Sequence, residues 1–388
     1  MINFTLTDEQ QALVDLVHGF VRNEIDPIEA ELDPDVAELP DDLQRRVFER
    51  ADQLGLRHMD VPEEYGGAGL DTVTQTLLSM EISQHRAGIY APCYHSFTGY
   101  GLAQLYDVSE EQRERFLYPL LSGEKRSYFA MSEPSGGSDP ARSIRTTAVR
   151  RGDNWIINGS KLWIGGADRA DFGLVFCRTA PGREGITCFI VETDRPGFRV
   201  ARVVQTLRSA KPTTELYFDD VEVPDENRIG EVNGGFALAN ERLSRQRIPY
   251  AALSLGPAIR AHEMTIEYAK VREVFGKTLA AHEGIQWMLV ESEIELRSAR
   301  LLLLQAASRA DQGLPFRTES SIAKLVATES AFRVVDRCIQ IHGGMGVSKD
   351  LPLERWFREL RIRRIAEGPS ETQKMIVARD LLGSAARG

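Results

Sequence analysis

The chain contains 388 residues, 42% of them hydrophobic, and its 57 acidic residues outnumber 47 basic ones. This length predicts two or three structural units with a large buried interior. The formal net charge of -10 argues against a general nucleic-acid-binding protein, which would need a positive surface.

Residues 1 to about 125 are predicted to be helical. Thr7 and Gln10 form a capping-box pattern, after which apolar residues recur at helical spacing. The proline and glycines of Val61–Leu70 predict a turn before a second helical segment at Thr72–Ser83. The first residues show neither a basic leader nor an apolar signal core, and no uninterrupted apolar run approaches ~18 residues. We therefore expect a cytoplasmic protein without a membrane span.

Residues 126–234 have a different pattern, with short alternating or apolar runs between turn residues, which is typical of a β domain. A turn is predicted at Arg151–Asn154. The predicted strands are Thr146–Val149, Trp155–Ile157, Leu174–Cys177, Ile186–Val191 and Leu216–Phe218.

Residues 235–388 are predicted to be mainly helical, with long helices near 237–273, 283–312 and 317–341 and a shorter fourth. This pattern favours an antiparallel four-helix bundle. Arg272 and Phe275, three residues apart, are expected to share one helix face. The second long helix is predicted to bury a broad stripe made of Leu289, Ile294, Leu296, Leu301, Leu304 and Ala307.

Cysteine and arginine residues give no sign of a metal or nucleic-acid site. Arg361, Arg363 and Arg364 form a local basic cluster, interpreted as a solvated or interface face. Four cysteines lie far apart and lack metal-ligand or redox-pair spacing, which predicts free thiols in a reducing cytosol; they are Cys93, Cys177, Cys188 and Cys338.

Five short motifs follow one another along the chain: Phe129–Asp139, Trp163–Gly166, Arg272–Lys277, Gln340–Gly344 and Ile362–Glu371. Each has a simple structural explanation, such as a Ser/Gly/Pro turn, a core tryptophan, an exposed ion pair, a helix C-cap or a carboxylate before a helix N-terminus. A Gly-rich turn can also let backbone donors approach a ring or a phosphate closely. No strand-GxGxxG-helix fingerprint accompanies these motifs, which argues against a Rossmann site.

Together and in this order, the motifs resemble those of the acyl-CoA dehydrogenase flavoprotein family, over essentially the whole chain. The resemblance implies an α+β fold with an N-terminal helical domain (1–125), a central β-barrel domain (126–234) and a C-terminal four-helix bundle (235–388). It also implies an FAD cofactor, an acyl-CoA substrate, an electron-transferring flavoprotein as acceptor, and a homodimer or homotetramer that shares its cofactor sites between subunits.

The resemblance assigns roles to the motif residues. Ser132 would hydrogen-bond the flavin ring, Ser138 would lie where flavin and substrate meet, and Arg272 would contact the FAD diphosphate. The full implied cofactor set is Phe129, Met131, Ser132, Gly137, Ser138, Trp163, Ile164, Gly165, Arg272, Phe275, Gln340, Ile341, Gly343, Gly344, Pro369, Ser370 and Glu371. Two positions depart from the family pattern: Gly165 lacks the usual hydroxyl near flavin N5, and Glu283 replaces a common glutamine.

Glu367 is the predicted catalytic base. Removing the α-proton of a thioester needs a carboxylate within hydrogen-bond reach. Some relatives carry the base on another helix, but the matching residue here is Gln246, which cannot take a proton. By resemblance, Ser138, Arg247 and Gly368 contact the substrate.

Several alternatives remain open at this stage. The same fold hosts flavin monooxygenases, acyl-CoA oxidases and enoyl-CoA reductases, and fold alone does not settle function. A non-catalytic flavin-bearing or DNA-associated protein is a further alternative, although it would be expected to show a basic surface. Acyl length and branching stay undetermined, because Tyr90, Tyr94 and Phe97 in the stretch Ile89–Phe97 are as typical of a core as of a substrate pocket.

Overall fold

The computed structural model describes residues 5–36, 39–87, 103–208 and 213–386. The chain divides into two compact units. One combines residues before position 99 with those from position 244 onward, and the other covers the residues between. The stretch Ile89–Phe97, with Cys93 and the candidate pocket residues Tyr90, Tyr94 and Phe97, lies outside the described residues.

The N-terminal helices are α1 (Asp8–Phe20), α2 (Asp26–Ala30), α3 (Asp41–Gln53) and α4 (Thr72–Ile82). The predicted capping box is confirmed: the Thr7 hydroxyl accepts from the Gln10 amide at 3.1 Å, and the Gln10 side chain accepts from the Thr7 amide at 3.2 Å. The turn before α4 is also confirmed, because Gly66 and Gly69 have φ angles of 82° and 57°, which glycine adopts without strain. In this unit α4 packs against α1 and α9, whose bounds are given below.

The second unit contains the short helices α5 (Glu110–Gln112), α6 (Tyr118–Ser122) and α7 (Pro140–Ser143). Its strands are β1 (Ser127–Ala130), β2 (Thr147–Arg151), β3 (Asn154–Gly165), β4 (Phe172–Arg178), β5 (Ile186–Glu192), β6 (Phe198–Val204), β7 (Thr213–Pro224) and β8 (Arg228–Ile229). They form one mixed sheet in the order β6-β7-β3-β2-β4-β5-β8, with β1 parallel to β4. Apolar residues such as Trp155, Phe189 and Val223 form its core. The predicted turn between β2 and β3 is confirmed, with Gly152 at a φ of 62°.

The remaining elements are α8 (Gly235–Val271), the hairpin strands β9 (Glu273–Val274) and β10 (Lys277–Thr278), α9 (Glu283–Asp311), α10 (Arg317–His342), α11 (Leu353–Arg363) and α12 (Ser370–Leu382). α10 packs against α9, α11 and α12. The three long predicted helices are confirmed within a few residues, and two short helices follow them where one was expected.

The predicted buried stripe of α9 is wrong at two positions, since Ile294 and Leu301 are 59% and 49% exposed. The core face is formed by Ser292, Leu296, Ala299, Leu303, Ala306 and Ala307. Trp287 and Val290 continue the exposed row at helical spacing. α9 therefore has two apolar faces, and only one of them packs against the described residues of its own unit.

Two expectations about arginines are also wrong. Arg363 is buried, with its guanidinium 3.9 Å from the centre of the Tyr250 ring, and is not part of a solvated face. Arg272 and Phe275 do not share a helix face, because α8 ends at Val271 and the chain turns through the β9–β10 hairpin. Phe275 and Gly276 both have positive φ angles at the hairpin tip, which a helix cannot accommodate.

Candidate active site

Glu367 lies in the short connection between α11 and α12. Glu367 and Gly368 have φ angles of 53° and 88°. A non-glycine residue in the left-handed region is uncommon and persists only where its surroundings hold it. The Gln373 side chain supplies one such restraint by donating to the Gly368 carbonyl at 2.9 Å and to the Glu367 carbonyl at 3.4 Å. The structure therefore places the predicted base on a sharply defined turn.

Buried cations surround this turn within the same unit. Burial lowers the pKa of the Lys324 ammonium to about 7, with Arg363 and Arg247 acting in the same direction and the Glu367 carboxylate opposing them. Burial, followed by the charge of Arg317, lowers the pKa of Arg247 to about 10, and Glu367 again opposes the shift. Glu367 and Arg247, which the sequence assigned separately to base and substrate contact, thus interact electrostatically.

The residues after Glu367 fix the start of α12. The Ser370 hydroxyl donates to Glu329 Oε1 at 2.6 Å, and Arg364 Nε lies 2.8 Å from Glu329 Oε2. Although burial opposes the change, these two donors lower the pKa of Glu329. Pro369 precedes the first helical residue with an extended backbone, and Glu371 is exposed in the first turn. Ser370 therefore hydrogen-bonds the start of α12 to Glu329 on α10, a contact that the sequence did not predict.

In the other unit, the Gly-rich loop after β1 is attached to β3. The Leu162 amide donates to the Ser132 carbonyl at 3.0 Å. The Lys161 ammonium is fully buried and donates to Glu133 Oε1 at 2.8 Å and to the Met131 carbonyl at 3.3 Å. Sequence reasoning gave Lys161 and Glu133 no role. The available signal was a lysine directly before the apolar run Leu162–Ile164, because a lysine is rarely buried unless it is paired.

Trp163 is 56% exposed, so the simple explanation of it as a core residue is wrong. It has a φ of 66° at a register shift between Leu162 and Ile164 in β3. A bulge of this kind turns a side chain away from the regular alternation of the strand, and Ile164 points into the core. Gly137 and Ser138 are exposed in the same unit.

Gly165 pairs directly with Thr213 on β7. The Thr213 hydroxyl is buried and has no hydrogen-bond partner among the residues that the structure describes. Phe129 is half-buried, with the Arg242 guanidinium 4.0 Å from its ring centre and the Phe176 ring 5.0 Å away.

The β9–β10 hairpin and the end of α10 lie together in the helical unit. Ile341 packs with Leu279, which follows the hairpin. Phe275 at the hairpin tip is 97% exposed, and a Cβ atom built on Gly343 or Gly344 meets nothing within 4 Å. The remaining side chains assigned to the cofactor here, those of Arg272 and Gln340, are exposed, as is Glu283 at the first position of α9.

Three family models match successive parts of the chain. They are the N-terminal domain of acyl-CoA dehydrogenase at residues 7–124, the middle domain at residues 128–221 and the C-terminal domain at residues 233–382. The chain belongs to the acyl-CoA dehydrogenase family. FAD is the cofactor of this family, and its members are oxidoreductases. The resemblance drawn from the motifs and the predicted α+β fold class are confirmed.

Several relatives match this chain over nearly the full length of both proteins. An acyl-CoA dehydrogenase of Bacillus subtilis is 37% identical over 382 residues, covering 97% of this chain and 99% of the relative. A 3-(aryl)acrylate reductase of Clostridium sporogenes is also 37% identical, over 381 residues, covering 97% of this chain and 99% of the relative. The structure of butyryl-CoA dehydrogenase from Megasphaera elsdenii is similar with a TM-score of 0.87 and 33% identity, covering 98% of this chain and 100% of that one.

Neither a membrane helix nor a metal cluster is present in the described ranges. Their helices are too short or too polar to cross a bilayer, and they hold no group of three or more His, Cys, Asp or Glu side chains arranged for a metal ion. Cys177, Cys188 and Cys338 are buried free thiols.

Proposed function

We propose that this enzyme removes the α-proton and the β-hydrogen of an acyl-CoA thioester to give the trans-2-enoyl-CoA, with Glu367 as the base. The observation that carries the proposal is the position of Glu367, a carboxylate held at a left-handed turn and influenced by the charges of Arg247 and Lys324. Gln246, at the other position where the family carries a base, has a neutral amide and cannot act in its place.

The residues of the sheet unit fit the flavin end of FAD. Trp163 presents an exposed aromatic surface, and an indole can stack on a planar ring system. The loop from Ser132 to Ser138 ends in exposed small residues, which allow close backbone approach. The buried Thr213 hydroxyl beside Gly165 has a free hydrogen-bonding capacity, within the described residues, that a ligand could satisfy.

The residues of the helical unit fit the nucleotide end of FAD. Arg272 is exposed, and its guanidinium has no ion pair with any part of the chain that the structure describes. A guanidinium fork matches the geometry of a diphosphate. Phe275 offers an apolar face, and the unobstructed backbone of Gly343 and Gly344 permits close contact beside Gln340 and Ile341. We assign these residues, with Pro369, Ser370 and Glu371, to FAD.

The two hydrogens leave the substrate in different forms. Glu367 takes the α-hydrogen as a proton, and the electron pair of that C–H bond becomes the new carbon–carbon π bond. FAD, when bound, supplies the acceptor at N5 for the β-hydrogen, which leaves as hydride. Ser138, Arg247 and Gly368 are proposed to hold the thioester so that the α-hydrogen faces Glu367. An electron-transferring flavoprotein is the proposed acceptor of the electrons.

Exposed apolar residues support an oligomer. Phe275 is almost fully exposed, and the row Trp287, Val290, Ile294 and Leu301 on α9 forms a second apolar face. Surfaces of this kind mark interaction sites. We propose a homodimer or homotetramer in which the second subunit covers these residues, and a cytoplasmic location in which the buried thiols stay reduced.

The reverse reaction is a second candidate, favoured by the reductase of Clostridium sporogenes among the relatives. The same base could return a proton to the α-carbon of an enoyl substrate. Oxidase and monooxygenase activities require rapid reaction of the reduced enzyme with oxygen, which a dehydrogenase need not show.

An anaerobic titration of the FAD-loaded enzyme with a panel of saturated acyl-CoA esters tests the proposal. The flavin absorbance should bleach with at least one ester, and the order of the esters gives the preferred chain length. Failure of every ester, combined with reoxidation of the reduced enzyme by an enoyl or arylacrylate substrate, would establish the reductase direction instead. Fast reoxidation by oxygen would indicate an oxidase or monooxygenase.

A further inference from the structure

Lys324 lies near Glu367 and belongs to none of the sequence motifs. It lies on α10 on the face that packs into the unit, together with the buried residues Ser320, Ala327 and Thr328. Its side chain has no solvent exposure. Lysine is seldom buried in this way because moving an ammonium ion out of water is costly, so a specific interaction must compensate.

The compensating interaction is with the turn that carries the base. The Lys324 ammonium donates to the Gly368 carbonyl at 2.9 Å. Gln373, from the first turns of α12, donates to the same oxygen at the same distance. One carbonyl thus receives two side-chain donors from two different helices. Together they fix the orientation of the peptide unit between Gly368 and Pro369, at the end of the left-handed turn that Glu367 and Gly368 form.

Charged groups from several elements face Lys324. They are Glu367 from the connection before α12, Arg363 from α11, Arg247 from α8 and Glu329 from α10 itself. Burial and the two arginines disfavour the ammonium form, whereas Glu367 and Glu329 favour it. The Tyr250 ring lies 5.6 Å from the ammonium and covers it on one side. Lys324 and Glu367 therefore interact in two ways, through the backbone of the turn and through their charges.

We propose that Lys324 is a positioning residue for the catalytic base: its bond to the Gly368 carbonyl holds the left-handed turn that presents the Glu367 carboxylate to the substrate α-carbon. This inference rests on the proposed function, in which Glu367 removes the α-proton. Lys324 itself exchanges no proton with the substrate. Losing this one bond would matter because general-base catalysis depends steeply on the distance and angle of the carboxylate, so that a small shift of the turn lowers the rate.

The test variant is Lys324→Met, which keeps the length of the side chain and removes the donor. Methionine fills a similar volume, and the Gly368 carbonyl keeps the Gln373 side chain as a donor, so the substitution leaves this buried oxygen with a partner. Should this variant fail to load FAD, Lys324→Leu takes its place, because a shorter apolar side chain also removes the donor. The matched control is Thr328→Val, one helical turn away. Thr328 is equally buried but, among the residues that the structure describes, donates only to carbonyls of its own helix.

The FAD-loaded enzymes are compared by stopped-flow flavin reduction with the best acyl-CoA, with and without deuterium at the α-carbon. Lys324→Met should reduce the limiting rate constant by about tenfold to a hundredfold, as expected for a misplaced base, with little change in the acyl-CoA dissociation constant. Its α-deuterium isotope effect should increase, because proton abstraction becomes more fully rate-limiting. Thr328→Val should retain the wild-type rate and isotope effect.

Two outcomes separate the inference from the proposed function. If Lys324→Met matches Thr328→Val in rate and isotope effect while Glu367→Gln is inactive, Lys324 does not position the base and the inference is overturned. If Glu367→Gln itself reduces flavin at a near-normal rate, the base assignment is wrong, and the inference fails with it. A loss confined to substrate affinity in Lys324→Met would also overturn the inference.

Discussion

Gly368→Ala should damage both the stability and the rate of this enzyme, because the turn beside the base has no room for a side chain. Gly368 has a φ of 88°, and a Cβ atom at this position would lie 2.6 Å from Gln373 Nε2. The left-handed backbone costs an alanine roughly 1–2 kcal/mol. Gln373 must also move, and its lost hydrogen bonds add about 1 kcal/mol. We expect a destabilisation of roughly 2–3 kcal/mol in total.

The rate effect separates the turn from ordinary backbone strain. The shifted turn should misplace Glu367, and a displacement of about 1 Å lowers catalytic rates on the order of a hundredfold. Gly313→Ala is the matched control, since Gly313 has a φ of 66° and a Cβ atom there meets nothing within 4 Å. It should lose stability but keep its activity. Urea unfolding and anaerobic flavin reduction measure the two quantities. If Gly368→Ala is no less stable than Gly313→Ala and reduces flavin at the wild-type rate, then the turn at Gly368 does not position Glu367.

Three further predictions concern the cofactor and the buried lysines. Arg272→Ala should lower the FAD content of the purified enzyme. The control Arg297→Ala, which removes an exposed partner of the Glu293 carboxylate, should not lower it. Equal flavin-to-protein absorbance ratios in the two variants would contradict the assignment of Arg272 to the diphosphate. Lys161→Met should destabilise the enzyme by about 3–5 kcal/mol in urea unfolding, because the buried Glu133 carboxylate keeps two backbone amide donors but loses its charged partner. A loss smaller than about 1 kcal/mol would count against the ion pair. Between pH values of about 7 and 10.5, Lys324 binds more protons in the unfolded chain than in the folded enzyme. The unfolding free energy of the wild type should therefore rise with pH relative to that of Lys324→Met in this window. A difference in unfolding free energy between the two enzymes that stays constant from about pH 6 to 9 would contradict the lowered pKa.

Local signals in the sequence were sufficient for the elements that depend on neighbouring residues. Thr7 and Gln10 cap α1 as predicted, and Gly152 makes the turn between β2 and β3. The five motifs, taken together and in their order along the chain, were sufficient to identify the family. These features need only the residues themselves and their spacing.

The wrong predictions concern side chains whose burial depends on tertiary packing. An apolar pattern on α9 cannot tell which of two faces enters the core, so Ile294 and Leu301 were assigned to the wrong side. Arg363 is buried because Tyr250, far away in the sequence, offers its ring. Trp163 is exposed because a bulge rotates it out of the strand pattern.

Lys324 was overlooked for a related reason. Its bond is to a backbone carbonyl more than forty residues away along the chain, and no spacing rule connects the two positions. A lysine on the core face of a helix was the only signal that the sequence offered. A charged residue at a predicted core position is therefore a candidate for holding a functional site in place.

The most direct test of the account is single-turnover flavin reduction by Glu367→Gln, under anaerobic conditions and with the acyl-CoA ester that bleaches the wild-type enzyme best. The substitution keeps the size of the side chain and removes its ability to take a proton. The account predicts an enzyme that keeps its FAD and its thermal stability but no longer bleaches on addition of the ester. Bleaching at a rate near that of the wild type would contradict the account, because another group would then be removing the α-proton.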